Sequence, residues 1–142
     1  MSKEKIGFTI GKFAPFHKGH AYLIDTALKE MDKFYIVVYD TPQFNISMEE
    51  KLNVLKQKYP NVELIEAYNS PKQIGLDSKS VEIQMKYLSH LIKDIKPTHF
   101  YSSEDYGECV AKYLNIENRI VDKERIKYPI SATMIRNGEY KE

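Results

Sequence analysis

Gly11-Lys12-Phe13-Ala14-Pro15-Phe16-His17-Lys18-Gly19-His20 stands between a short apolar run, Ile6-Gly7-Phe8-Thr9-Ile10, and a stretch whose apolar residues recur at helical spacing. A strand that ends in a Gly/Pro-interrupted turn and feeds a helix leaves backbone N–H groups unpaired beside the positive end of the helix dipole. Such a place suits a phosphate. His17 and His20 stand at its mouth, three apart at the helix start, so both imidazoles can lie on one face and converge on one anion. Two histidines at this spacing also suit zinc, but no second pair of ligands follows, and the single thiol, Cys109, stands alone. A P-loop is excluded because Gly19 is followed by His20 rather than by Lys and Ser/Thr.

Outward from this turn, strand-like apolar runs alternate with helical patterns, the signature of a parallel α/β sheet. Strands are expected over 5–10, 34–39, 62–66, 98–102 and 119–121. Four helices separate them. The first carries Ile24, Ala27, Leu28 and Met31 as an apolar stripe, and the second Met48, Leu52, Leu55 and Tyr59, opening on the capping pattern Ser47-Met48-Glu49-Glu50. The third begins near Ser78 with Val81, Met85, Leu88 and Ile92 inward, and the fourth follows Ser102-Ser103-Glu104-Asp105 with Tyr106, Val110 and Tyr113 inward. Right-handed crossovers then predict a Rossmann-like doubly wound domain over residues 1–142, with sheet order 3-2-1-4-5 and helices on both faces.

That order places the turn after strand 1 beside the turn after strand 4, at the topological switch point where ligands bind. A third segment, Pro129-Ile130-Ser131-Ala132-Thr133-Met134-Ile135-Arg136, follows strand 5 and opens at the same edge, with Ser131 as the expected N-cap of a fresh helix. A triphosphate needs several donors at once, and these three turns could supply them.

Composition narrows the partners. Among 142 residues, 21 Lys and Arg face 20 Asp and Glu, so no broad basic field favours nucleic acid. The longest apolar runs, such as Ile36-Val37-Val38, are too short to span a bilayer, and the N-terminus lacks a signal-peptide core. A cytoplasmic protein is expected, with Cys109 a half-buried helix residue and a homo-oligomer the default assembly.

The segment Gly11-Lys12-Phe13-x-Pro15-x-His17-x-Gly19-His20 resembles the His-x-Gly-His signature of the nucleotidyltransferase superfamily, and Ile130-Ser131-Ala132-Thr133-Met134-Ile135-Arg136 resembles its C-terminal Ser-x-Thr-x-x-Arg motif. The stretch 100–108, with Asp122-x-x-Arg125, further resembles the NadR-like nicotinamide mononucleotide adenylyltransferases. The resemblance implies transfer of AMP from ATP to nicotinamide mononucleotide by direct in-line displacement, giving NAD and pyrophosphate. It implies catalytic roles for His17, His20, Lys12 and Arg136, and ATP contacts from Gly11, Phe13, Gly19, Ser103, Glu104, Asp122, Arg125, Ser131 and Thr133. Asp122 and Arg125 equally suit a local ion pair. Mg²⁺ is expected on the ATP phosphates and not in a protein cage.

Two alternatives share these residues: a cytidylyltransferase or adenylyltransferase of the same fold with another phosphate-monoester acceptor such as glycerol phosphate, and a non-catalytic nucleotide sensor. The chain departs from the family in two respects. It has no tryptophan to stack a nicotinamide ring, leaving Phe44, Tyr68 and Tyr87 as candidate platforms. Lys51 stands where relatives often carry arginine and lacks the bidentate fork, so it is not counted as a phosphate ligand.

Overall fold

Short apolar runs form the strands, apolar residues recur every third or fourth position along the helices, and the chain folds accordingly. The computed structural model describes residues 4–13, 16–41, 46–68, 78–102 and 106–121. In chain order the elements are β1 (Ile6–Gly11), α1 (Lys18–Glu30), β2 (Lys33–Tyr39), α2 (Met48–Lys58), β3 (Glu63–Ala67), α3 (Ser78–Leu91), β4 (His99–Ser102), α4 (Tyr106–Leu114) and β5 (Glu117–Ile120). The strands form one parallel sheet in the order β3-β2-β1-β4-β5, the expected doubly wound α/β arrangement.

The sheet divides the core in two. Phe34, Ile36 and Val38 of β2 join Leu23, Ile24 and Ala27 of α1 and Met48 and Leu55 of α2 on one face. Val37 turns the other way, to Phe8, Phe100, Met85 and Leu88 of α3 and Val110 of α4. Two expected core residues lie outside it. Leu28 is 42% exposed, because the inward arc of α1 is centred on Leu23, Ile24 and Ala27 and Leu28 falls past its rim. Tyr113 is 47% exposed, because Val110, Ala111 and Leu114 take the inner face of α4. The described strand bounds shift by one or two residues, β5 beginning at Glu117 and ending at Ile120.

Two features shape the carboxyl edge. β1 pairs with β2 along its whole length, from Ile6↔Lys33 to Gly11↔Val38, but with β4 only at Gly7↔His99 and Phe8↔Phe100. Beyond that point the Thr9 hydroxyl donates to the Tyr101 carbonyl at 2.7 Å, serving a backbone acceptor while the strands part. The crevice of a doubly wound sheet opens there. The opposite flank is tied by Glu30, which accepts from Tyr101 Oη at 2.6 Å and from Arg119 Nε and Nη2, each at 3.1 Å, joining α1 to β4 and β5.

Cys109 is half-buried on α4, and among the described residues no helix is long and apolar enough to cross a membrane.

Candidate active site

β1 leaves the sheet at Gly11, and the chain folds back at once. Phe13 adopts φ 48°, a conformation uncommon for a side chain without a local polar partner, and its ring lies over Gly11. A Cβ at Gly11 would stand 2.9 Å from Phe13 Cε2 and Cζ, so the close approach requires glycine there. Phe13 is buried, and its ring is 4.7 Å, centroid to centroid, from that of His20. Phe16 closes a second side of the same imidazole at 5.7 Å, backed by Tyr59 and by the Lys58 ammonium.

His17 and His20 cap α1 reciprocally. His17 is the N-cap in extended conformation, and its Nδ1 accepts from the Gly19 backbone N–H at 3.0 Å. His20 Nδ1 accepts in turn from the His17 backbone N–H at 3.1 Å. This is a capping box with imidazoles in place of the usual Ser and Glu. The rings stack 3.8 Å apart at 19°, and His17 is only 4% exposed. The hydrogen-bond pattern assigns the tautomer: an Nδ1 that accepts leaves the proton of the neutral ring on Nε2, so each ring is a donor through that atom. A proton on Nδ1 would set two donors facing each other. The first turn of α1 carries no acid, so its own sequence does not neutralise the positive helix end. Gly19 contributes a backbone N–H to the cap, and Lys12 is exposed at the end of β1.

The two histidines thus meet, as their spacing anticipates, at the start of α1, just past the end of β1. The stacked reciprocal cap is more specific than shared facing alone. Ser103, Glu104, Asp122, Arg125, Ser131, Thr133 and Arg136 lie outside the described residues, as do Pro129 and Phe44. Of the other candidate platforms, Tyr68 is exposed just past β3, and the Tyr87 hydroxyl donates to its carbonyl. Tyr39, at the end of β2, meets the Tyr87 ring edge-on at 6.2 Å.

One residue was passed over by sequence reasoning. Lys51, in the first turn of α2, is 3% exposed, and its Nζ donates to the Tyr39 carbonyl at 2.8 Å and to Thr41 Oγ1 at 2.5 Å. Burial pushes the pKa of this ammonium down, Asp40 works against that shift, and Lys12 adds to it. Its sequence position held a signal. Lys51 stands three after Met48 and four before Leu55, inside an otherwise apolar stripe. Among the described residues no three His, Cys, Asp or Glu side chains gather as a metal-binding group.

Residues 8–138 match the Cytidylyltransferase-like family. The trifunctional NAD biosynthesis/regulator protein NadR of Escherichia coli strain K12 is 30% identical over 98% of this chain and 38% of its own length. A phosphopantetheine adenylyltransferase of Mycoplasma mycoides is 29% identical over 92% of this chain and 93% of its own. The chain therefore spans well under half the length of the NadR protein. Among solved structures, that of a NadR protein in complex with NAD and AMP-PNP superposes with a TM-score of 0.68 at 22% identity, over 96% of this chain and 43% of that one. This likeness carries the fold.

Proposed function

We infer function from the family: this chain belongs to the Cytidylyltransferase-like family of nucleotidyltransferases, and NadR and phosphopantetheine adenylyltransferase are among its relatives. On our reading it transfers AMP from MgATP to the phosphate of nicotinamide mononucleotide, giving NAD and pyrophosphate. The observation that carries this reading is the paired-imidazole cap at the start of α1, just past β1. It sets two imidazoles beside a helix N-terminus whose first turn carries no acid.

The chemistry asks little more. A phosphate monoester is already ionised near neutral pH, so its oxygen attacks the α-phosphorus without a general base, and the bond from that phosphorus to the pyrophosphate oxygen breaks. Positioning and charge neutralisation supply the catalysis. His17 and His20 donate to oxygens on the α-phosphorus as charge builds there, with Lys12 beside them. In the same reading Arg136 holds the leaving pyrophosphate, Ser131 and Thr133 the outer phosphates, and Ser103, Glu104, Asp122 and Arg125 the nucleotide. Gly11 and Gly19 let the backbone approach the phosphates, and Phe13 braces the His20 ring from behind. The magnesium arrives on the nucleotide as part of the substrate. Residues 1–142 act as one catalytic domain.

A second acceptor is favoured by a specific finding. The Mycoplasma phosphopantetheine adenylyltransferase aligns over nearly its full length, so 4′-phosphopantetheine is the second reading. Purified protein incubated with MgATP and each acceptor separately decides between them. NAD formation supports the first reading, adenylylated phosphopantetheine alone replaces it with the second, and no pyrophosphate release with either rejects both.

A further inference from the structure

We propose that the Tyr59 ring, acting through Phe16, is a positioning element that holds the His20 imidazole at the angle the transfer requires. The inference rests on the nucleotidyl-transfer reading and adds to it the end of α2, which that reading does not use.

The last torsion of a histidine side chain is broad, so the backbone does not set the tilt of the ring. The 3.1 Å bond from the His17 N–H fixes His20 at one corner, Nδ1. Nε2 lies across the ring from that corner and swings with any change of tilt. A donor aimed at developing charge has to be held to about 0.5 Å, so the neighbours of the ring decide its use. His17 stacks on it at 3.8 Å, Phe13 meets it at 4.7 Å and 60°, and Phe16 at 5.7 Å and 35°. His17 is fixed by its own cap bond, whereas Phe16 belongs to neither β1 nor α1 and needs support from elsewhere.

That support comes from α2. Tyr59 meets the Phe16 ring edge-on at 6.4 Å, within the range and in one of the orientations that aromatic pairs prefer, and the Lys58 ammonium lies 5.6 Å from the same ring. Tyr59 is itself fixed at three points. Its N–H donates to the Leu55 carbonyl at 2.8 Å as the C-cap of α2, its carbonyl accepts from the Val62 N–H at 3.1 Å, and its hydroxyl donates to the Asp25 carboxylate of α1. The phenol therefore bridges α2 to the helix that His17 caps, and Phe16 packs against it from the His20 side. A rigid neighbour transmits its position through ring contacts because close-packed rings do not move independently.

The competing role is a purely structural one, in which Tyr59 only closes the end of α2. Two readouts on the full chain separate them: kcat and KM for ATP from pyrophosphate release, and the carbon and proton resonances of the His20 ring, assigned among the four histidines by their loss in His20→Ala. In Tyr59→Leu, kcat is expected to fall about 10- to 100-fold with KM for ATP within about threefold, the pattern of a misplaced catalytic group, and the His20 resonances to shift or broaden. Tyr59→Phe keeps the edge-on ring and is expected to restore kcat to within about threefold of wild type, with the wild-type His20 signal. Leu88→Ala, in the core cluster on the other face of the sheet, controls for general destabilisation and should lower the unfolding temperature without moving either readout. Tyr59→Met, which fills space without a ring, is the test if Tyr59→Leu does not fold. Wild-type His20 resonances in the ring-less variants, a Tyr59→Phe protein as impaired as Tyr59→Leu, or the same changes in Leu88→Ala overturn the proposal. The outcomes separate from the functional reading. Undiminished turnover and an unmoved His20 signal in Tyr59→Leu defeat the positioning alone. Wild-type protein that releases no pyrophosphate with either acceptor defeats the functional reading, and the His20 signal in Tyr59→Leu still decides whether the ring is held through Phe16.

Discussion

Replacing His17 by asparagine divides the two tasks of its imidazole. Nδ1 caps α1 by accepting from the Gly19 N–H at 3.0 Å, while Nε2 is the donor assigned to the α-phosphate. Asparagine is among the best N-cap residues and its Oδ1 takes over the first task, but it offers nothing at the position of Nε2. Both His17→Asn and His17→Ala lose the 3.8 Å stack on His20 and the packing of a buried ring, so those losses cancel between them. The remaining difference is the cap bond, so His17→Asn should be more stable than His17→Ala by about 1 kcal/mol. Turnover should behave otherwise, falling about 10²- to 10³-fold in both, the usual effect of removing one donor aimed at developing charge. Urea unfolding at pH 7 reads the first quantity and steady-state pyrophosphate release the second. Equal stability of the two variants would refute the cap assignment, and wild-type turnover in His17→Asn would remove Nε2 from the chemistry.

Other perturbations test neighbouring parts of the structure. Gly11→Ala puts a Cβ 2.9 Å from the Phe13 ring and should cost about 1–3 kcal/mol as that ring is displaced from His20. Phe13→Leu in the same chain should recover more than about 0.5 kcal/mol of it, read as coupling in a double-mutant cycle, and strict additivity would contradict the contact. Tyr59 has its pKa pushed up to about 12, first by burial and then by Asp25. A phenol that ionises later when folded contributes stability that is complete below the unfolded value near 10 and is lost as pH rises toward 12. Unfolding curves from pH 9 to 11.5 should therefore converge between wild type and Tyr59→Phe, and parallel curves would contradict the shift. Glu30 is held below the ordinary carboxylate range, chiefly by its hydrogen bond from Arg119 and then by that from Tyr101. Its contribution is present above the unfolded pKa and fades as acid protonates the folded group. Glu30→Gln should cost up to about 1 kcal/mol at pH 7 and progressively less below pH 4, while a pH-independent cost would assign the loss to packing.

Much of this architecture is legible in the chain. Val37 between Ile36 and Val38 marks a strand buried on both faces, and Met85, Leu88 and Ile92 mark the inward side of α3, because burial imposes the two spacings directly. The Gly/Pro break before His17 likewise announces a strand-to-helix turn that can hold an anion. Leu28 and Tyr113 misled because periodicity tells which residues share a stripe but not how wide an arc the sheet covers. The reciprocal cap was not anticipated, since imidazoles seldom stand in for Ser and Glu, and His17 to His20 was read only as a shared face. Lys51 was discounted for lacking a guanidinium fork. Its position among Met48, Leu52 and Leu55 was the better guide, because a charged residue inside an apolar stripe is buried with it. The Thr9 hydroxyl that reaches the Tyr101 carbonyl joins residues 92 positions apart, a contact that no local pattern reports.

Adenylyl transfer to nicotinamide mononucleotide at the two-histidine cap, the function proposed above, has a direct readout. NAD formation by purified protein from MgATP and the mononucleotide is measured with His20→Ala as background and CTP replacing ATP in a parallel reaction. The expected result is NAD with ATP only, reduced about 10²-fold or more in a folded His20→Ala protein. No NAD from the wild type, or undiminished synthesis by His20→Ala, would contradict it.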